Sequence, residues 1–271
     1  MEKLSQCTAF LLALLIISFA SPCQSRLYQP PPAAVSYHHG EVLDGAVPVS
    51  VLYYGAFSPH QKAVISDFLL SLSPPRARQH VPNGFGAPGV SPAPSVTRWW
   101  ETVDRYVRRA GRDQPPRVLL ASQTSDEACS LGKSLSRLQV ERLAARLGVA
   151  PGGVAVVLTA ADYGFLASGH KRLGGEAVRA PNGDVGVDGM VINLAAMLAG
   201  AVTNPYGHGY SQVEVAAACP GVYGRGAYPG YPGAVRRDAA TGAGYNVVGR
   251  NGRKYLVPAL IDPDTHSCVI V

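Results

Sequence analysis

The sequence lacks the short motifs of the commonest enzyme classes. It contains no Cys-x-x-Cys, His-Glu-x-x-His, Gly-x-Ser-x-Gly or Gly-x-x-x-x-Gly-Lys-Ser/Thr pattern. These absences argue against a zinc protease, a serine hydrolase and a P-loop nucleotide enzyme. No Asn-x-Ser/Thr triplet occurs either, so N-glycosylation is not expected. The chain also shows no long internal repeat, which argues against a repeat architecture.

Charge is scarce as well. Only 15% of the residues are charged, and 24 basic against 18 acidic residues leave a net charge of +6. The basic residues are scattered along the chain, so a nucleic-acid surface is not expected. Glycine and proline are abundant instead, with 30 and 22 residues among 271. This composition disfavours a long helical architecture and indicates a globular protein.

Residues 1–25 have the pattern of a secretory signal peptide. Lys3 precedes an apolar run from Ala9 to Ala20, and small residues continue to Ser25. The run is shorter than the roughly 20 apolar residues of a membrane span, and no later stretch is expected to approach that length. The sequence therefore predicts cleavage between Ala20 and Ser25 and a secreted mature chain without a membrane span.

The expected mature chain keeps three of the five cysteines, Cys129, Cys219 and Cys268. An odd number in an oxidising compartment predicts one disulfide and one spare thiol. Cys219 and Cys268 lie in the same glycine- and proline-rich C-terminal third and are the candidate pair. Cys129 is expected to be buried as a small hydrophobic side chain.

Residue patterns predict an α/β or α+β fold in a single domain, 41–271, preceded by a flexible proline-rich arm at 26–40. Strands are predicted at Val47–Tyr54, Arg117–Ser122 and Val154–Thr159, and helices after Ser58, near Ser95 and between Leu131 and Leu147. This order indicates helices on a mixed sheet. After Tyr206, loops of glycine, proline and tyrosine dominate.

One polar cluster stands out in the loop 182–189. Asn182, Asp184 and Asp188 carry oxygen atoms of the kind that calcium prefers, although their spacing does not match an EF-hand. The structural alternative, which we favour, is that Asn182-Gly183 forms a turn and Asp188 caps a helix over about Met190–Thr203. The pair His38-His39 is a weaker metal candidate, because neighbouring side chains of an extended chain point in opposite directions.

The segment Gly221–Gly233 contains three tyrosines among glycines and prolines. These tyrosines either present aromatic faces to a sugar or pack the loops onto the core. We favour packing, because it requires no ligand.

Many short motifs resemble the plant EXORDIUM / phosphate-induced protein family. They are Tyr37–Gly40, Tyr54–Gln61, Trp99–Trp100, Leu131–Leu135, Val156–Ala160, Ala180–Met190, Asn193–Leu194, Ala199–Gly200, Thr203–Pro205, Ala218–Cys219, Tyr228–Gly233, Asn251–Lys254 and Cys268. The resemblance runs from about residue 37 to 271. It departs from the family at 166–179, where members usually carry a longer, cysteine-containing connector.

The resemblance implies a secreted protein of the cell-wall space, linked to brassinosteroid-responsive growth and cell expansion. It brings no catalytic residues, metal or cofactor, so we expect a non-enzymatic protein that binds an extracellular protein or a wall polysaccharide. The alternative is a hydrolase of wall carbohydrate or peptide, for which Asp184, Asp188 and Glu214 would be the carboxylates to mutate.

A weaker similarity concerns residues 196–205, which are similar to the active-site helix of some bacterial zincin metallopeptidases. On that alignment Ala196, Met197 and Gly200 would replace the zinc ligands and the base. None of them binds zinc or transfers a proton. The similarity implies a degenerate zincin-like fold, and a plain amphipathic helix is the interpretation that we favour.

Overall fold

The computed structural model of the chain describes residues 35–73, 94–160, 179–211 and 218–271. The predicted signal peptide, residues 26–34 of the arm, positions 166–178 of the connector and Glu214 lie outside these residues. The helices are α1 (Pro59–Leu72), α2 (Val96–Arg109), α3 (Arg137–Ala145) and α4 (Val185–Thr203). The strands are β1 (Ser36–Tyr37), β2 (Ala46–Tyr54), β3 (Arg117–Asp126), β4 (Val154–Thr159), β5 (Tyr210–Ser211), β6 (Arg236–Arg237), β7 (Gly244–Tyr245), β8 (Val247–Val248), β9 (Lys254–Tyr255), β10 (Leu260–Ile261) and β11 (Cys268–Val269).

The central sheet is parallel, with strand order β3-β2-β4. Strand β2 lies in the middle, and its second half is buried between its two neighbours and the helices. Helix α1 contacts strand β3, and helix α3 contacts strand β4. The prediction of an α/β or α+β fold is confirmed, with α/β as the class observed. The antiparallel strands form four separate two-stranded ribbons.

Serine caps begin the first helices, as the sequence predicts. The hydroxyl of Ser58 accepts a hydrogen bond from the Gln61 amide at 3.2 Å, and the Gln61 side chain accepts one from the Ser58 amide at 2.8 Å. Ser95 caps α2 in a similar way, with its hydroxyl 3.2 Å from the Arg98 amide. These side chains satisfy donors that have no partner within the helix, and so they fix where each helix begins.

Buried aromatic side chains join the helices to the C-terminal third. The Trp99 indole donates to the carbonyl of Pro258 at 2.7 Å, and the Tyr106 hydroxyl donates to the carbonyl of Ile261 at 2.9 Å. The Tyr255 hydroxyl donates to the carbonyl of Val64 at 3.0 Å. Each of these buried donors thus bonds a carbonyl across the boundary between the helices and the C-terminal third. The predicted loop-rich third therefore belongs to the same core.

The fold begins earlier than the sequence predicts. Val35 is buried, and Ser36–Tyr37 pair with Tyr210–Ser211 as strands β1 and β5. The ring of Tyr37 stacks on that of Tyr210 with centroids 4.6 Å apart. The predicted boundary of the flexible arm at residue 40 is therefore wrong, because residues 35–40 form part of the folded protein.

Helix α4 is long and apolar. It has 19 residues, and an 18-residue window within it has a mean hydropathy of 1.8, enough by length and composition to cross a membrane. The expectation that no later stretch approaches that length is therefore wrong. In the structure α4 packs against α1 and α2 and buries ten of its side chains, the arrangement of a core helix.

Candidate functional site

The predicted polar cluster forms the entrance to α4. One carboxylate oxygen of Asp184 accepts hydrogen bonds from the amides of Gly186 and Val187, at 2.9 and 3.1 Å. The carboxylate of Asp188 accepts from the Asn182 amide at 2.9 Å and from its side chain at 2.6 Å. The structure thus brings all three predicted residues together, and internal donors occupy both carboxylates.

The position of the cap differs from the prediction. The structure has Asn182-Gly183 in a turn, with Gly183 at φ +79°. Helix α4 begins at Val185, and Asp184 is its N-cap. The prediction that Asp188 caps the helix is wrong, because the helix begins more than one turn before Met190 and includes Asp188 in its first turn.

The two carboxylates have opposite pKa shifts. Burial raises the pKa of Asp188 above its usual range, and the hydrogen bonds from Asn182 only partly oppose that effect. Burial also acts to raise the pKa of Asp184, but hydrogen bonds from the Gln61 side chain and the α4 amides, together with the charge of His60, lower it overall. Donors aimed at the ionised form explain the difference.

The same cluster ties α4 to the start of α1. The Gln61 side chain donates to the second carboxylate oxygen of Asp184 at 2.7 Å. The His60 ring lies 3.0 Å from the carbonyl of Asn182, whose side chain also donates to the carbonyl of Lys254 at 3.0 Å. These contacts join the starts of α1 and α4 to strand β9. The cluster therefore has a structural role.

The weaker metal candidates are not assembled into a site. His39 lies at φ +61° with its ring against Tyr37, at a centroid distance of 5.0 Å. Within the described ranges, no group of three His, Cys, Asp or Glu side chains is arranged to hold a metal ion.

The structure joins Cys219 and Cys268 by a disulfide, with Cα atoms 6.2 Å apart. Cys129 is only half-buried, so the prediction of full burial is wrong. It lies in the loop after β3, at φ +57°, with its sulfur 3.4 Å from the carbonyl of Glu127.

A tight hairpin over residues 223–234, the tyrosine hairpin, is the most distinctive exposed feature. The amides of Tyr223 and Gly224 both donate to the carbonyl of Pro232 at 2.9 Å. At the tip, the backbones of Tyr228 and Tyr231 exchange two hydrogen bonds of 2.9 and 2.8 Å. These paired bonds define the tip as a closed turn.

Two of the three tyrosines face solvent. Tyr228 and Tyr231 are 51% and 38% exposed, whereas Tyr223 is only 5% exposed. The rings of Tyr228 and Tyr231 contact each other with centroids 5.1 Å apart and an interplanar angle of 37°. The preferred interpretation, that these tyrosines pack the loops onto the core, holds for Tyr223 and is wrong for the other two.

The base of the tyrosine hairpin is anchored to the core. The Asn246 side chain donates to the carbonyls of Tyr223 and Val257 at 3.0 and 2.6 Å. The amide of Ala259 donates to the carbonyl of Val222 at 2.8 Å, next to the disulfide-bonded Cys219. The base of the hairpin that carries the exposed ring pair is thus anchored by hydrogen bonds to the C-terminal third.

A local signal for this arrangement is present in the sequence. Tyr-Pro-Gly occurs twice in succession over Tyr228–Gly233. Gly230 lies at φ +89° in the turn, a conformation that glycine adopts without strain. Because proline and glycine reverse the chain there, tyrosines three residues apart come to face each other.

The fold and this site define an α/β protein that presents a hydrogen-bonded aromatic hairpin to solvent. The chain belongs to the family described as "Phosphate-induced protein 1 conserved region", which it matches over residues 35–169 and 163–271. It is 39% identical to Protein EXORDIUM of Arabidopsis thaliana, with 86% of this chain and 88% of the relative covered. It is 38% identical to Protein PHOSPHATE-INDUCED 1 of Nicotiana tabacum, with 96% and 97% covered.

Protein EXORDIUM-like 1 of Arabidopsis thaliana is also 38% identical, with 86% of this chain and 88% of the relative covered. No solved structure matches the chain, so the zincin-like similarity stays a prediction. The alignments with Protein EXORDIUM and Protein PHOSPHATE-INDUCED 1 extend over 289 and 317 positions, more than the 271 residues of the chain. These relatives therefore carry residues that this chain lacks. The two family matches meet at 163–169, where the predicted short connector begins.

Proposed function

We propose that this protein is secreted into the plant cell-wall space and supports brassinosteroid-responsive growth and cell expansion by binding a partner, without catalysis. The observation that carries the proposal is the exposed ring pair of Tyr228 and Tyr231, held on an anchored hairpin. Large aromatic side chains left in water on a rigid support are typical of binding surfaces. The signal-like N-terminus and the family membership support the location and the link to growth.

The hydrolase alternative has no such observation in its favour. The carboxylates of Asp184 and Asp188 are engaged by donors at the start of α4, and Glu214 lies outside the described residues. The alternative therefore stays a second hypothesis.

The test is retention of the purified mature protein by immobilised wall polysaccharides and by extracellular domains of plasma-membrane proteins. We expect one of these two kinds of immobilised ligand to retain the wild type. The same ligand should not retain the double variant Tyr228→Ala/Tyr231→Ala. Tyr206→Ala is the matched control, because Tyr206 is 60% exposed and lies outside the hairpin. Retention by neither class, or equal retention of the double variant, would contradict the proposal.

A further inference from the structure

The sequence of the tyrosine hairpin and its flanks carries charge of one sign. Residues 218–237 contain three arginines and no aspartate or glutamate. The following residue, Asp238, accepts hydrogen bonds from the Lys254 ammonium and from the Thr241 amide. The nearest carboxylate in sequence is therefore already paired with a cation.

Two of these arginines have exposed side chains close to the hairpin in sequence. Arg225 pairs with Ala234 across the hairpin, and Arg236 begins strand β6 two residues after Ala234, where the hairpin ends. Neither guanidinium has an ion-pair partner among the described residues. An arginine side chain with open donors binds carboxylates in a bidentate fork.

The exposed aromatic area at the tip is small. Tyrosine carries about 150–250 Å² of surface, so the exposed fractions of Tyr228 and Tyr231 leave on the order of 200 Å². A stable protein interface needs roughly 800 Å² on each partner. The ring pair by itself would cover only part of such an interface, and we take a smaller ligand, a sugar ring, as its occupant.

We propose that the tyrosine hairpin binds an acidic polysaccharide, a polymer of uronate sugars. Tyr228 and Tyr231 stack on sugar rings, and Arg225 and Arg236 pair with uronate carboxylates. This inference rests on the proposed function and names the ligand class for the same site. It goes beyond that function because it requires the arginines as well as the tyrosines.

The experiment measures binding of the purified mature protein to polygalacturonate, to methyl-esterified polygalacturonate and to a neutral β-glucan. The wild type is expected to prefer polygalacturonate, and this binding should weaken between about 0.05 M and 0.5 M NaCl. Arg225→Ala/Arg236→Ala should lose about tenfold in affinity for polygalacturonate. Arg112→Ala/Arg117→Ala is the control, since it removes the same charge from exposed positions outside the hairpin.

Two results would overturn the inference. An equal loss in Arg112→Ala/Arg117→Ala would mean that only the net charge of +6 attracts the polymer. Equal binding of the neutral glucan, lost in Tyr228→Ala/Tyr231→Ala and kept in Arg225→Ala/Arg236→Ala, would reject the acidic ligand and leave the proposed function standing. If an extracellular protein alone is bound through the tyrosines, the sugar class is wrong while the binding role survives.

Discussion

Two aspartates four residues apart show how strongly local surroundings set the state of a side chain. Asp184 precedes α4 and receives backbone donors of its first turn, which favour the ionised carboxylate. Asp188 lies inside that turn and is buried, and burial disfavours its charge. The pattern Asp-x-x-x-Asp alone does not separate these roles, because either residue has the chemistry of a cap.

Replacement of Asp184 by alanine is expected to lower the free energy of unfolding by about 1 kcal/mol at neutral pH, since the cap of α4 is lost. The lowered pKa of Asp184 means that its contribution is full above its unfolded pKa of about 3.9 and is lost as the pH falls through the folded pKa. The difference between wild type and variant should therefore shrink below about pH 4. Urea denaturation from pH 7 downwards measures it.

Asp44→Ala is the control for this series, because Asp44 is exposed and caps no helix. Asp188 contributes in the opposite direction: its raised pKa makes the fold lose stability as the pH rises from the unfolded to the folded pKa. Asp188 is present in both proteins, but the charge of Asp184 helps to raise its pKa, so the comparison reports Asp184 together with that coupling. A difference that is constant with pH would contradict the assigned role.

At the scale of elements, the tyrosine hairpin depends on a close approach of two backbones. A Cβ on Gly233 would lie 2.0 Å from the carbonyl oxygen of Gly224, and Gly233 is at φ +94°. Gly230 has a similar φ of +89°, but a Cβ there would meet no atom within 4 Å. The two glycines therefore separate backbone strain from a direct steric clash.

Gly233→Ala is expected to cost about 3 kcal/mol or more, from strain and overpacking together, whereas Gly230→Ala should cost about 1–2 kcal/mol from strain alone. Urea denaturation of both variants measures the difference. Because the clash prevents the hairpin from closing, Gly233→Ala should also lose the retention expected of the wild type. Equal stability of the two variants would show that the backbones in this hairpin are free to separate.

At the scale of the whole molecule, the disulfide between Cys219 and Cys268 closes the C-terminal third. The two residues are 49 positions apart, and the tyrosine hairpin lies within the loop that they close, beginning four residues after Cys219. The side chains of Trp99 and Tyr106 bind carbonyls within the same loop. A covalent closure and buried hydrogen bonds therefore hold the hairpin on a core made by distant helices.

Cys268→Ser should reduce the free energy of unfolding by about 2–4 kcal/mol, because the unfolded chain regains the freedom of a long loop. Cys129→Ser should change it little, because Cys129 is half-buried and lies outside the Cys219–Cys268 disulfide. Denaturation with and without a reductant gives the matching readout: reduction should bring the wild type to the stability of Cys268→Ser. A wild type insensitive to the reductant would contradict this role of the disulfide.

Local signals predicted much of the fold. Ser58 and Ser95 start the first two helices, and the alternating pattern from Val47 marks the central strand, because caps and periodicity act within a few residues. The start of α4 was misplaced by five residues, since glycine at 186 and 189 weakens the helical pattern there. Neighbouring residues do not indicate that the fold begins at Val35, because β1 pairs with a strand more than 170 residues away.

The sequence by itself determined the family, the α/β class, the caps and the Tyr-Pro-Gly turn of the hairpin, all of which depend on neighbouring residues. Only the tertiary structure decided which tyrosines are exposed, which aspartate is buried and how far the parallel sheet extends. Exposure depends on surfaces brought together from distant parts of the chain, and a residue's burial is set by what packs on it. The same tyrosine pattern therefore yields a buried Tyr223 and an exposed pair at Tyr228 and Tyr231.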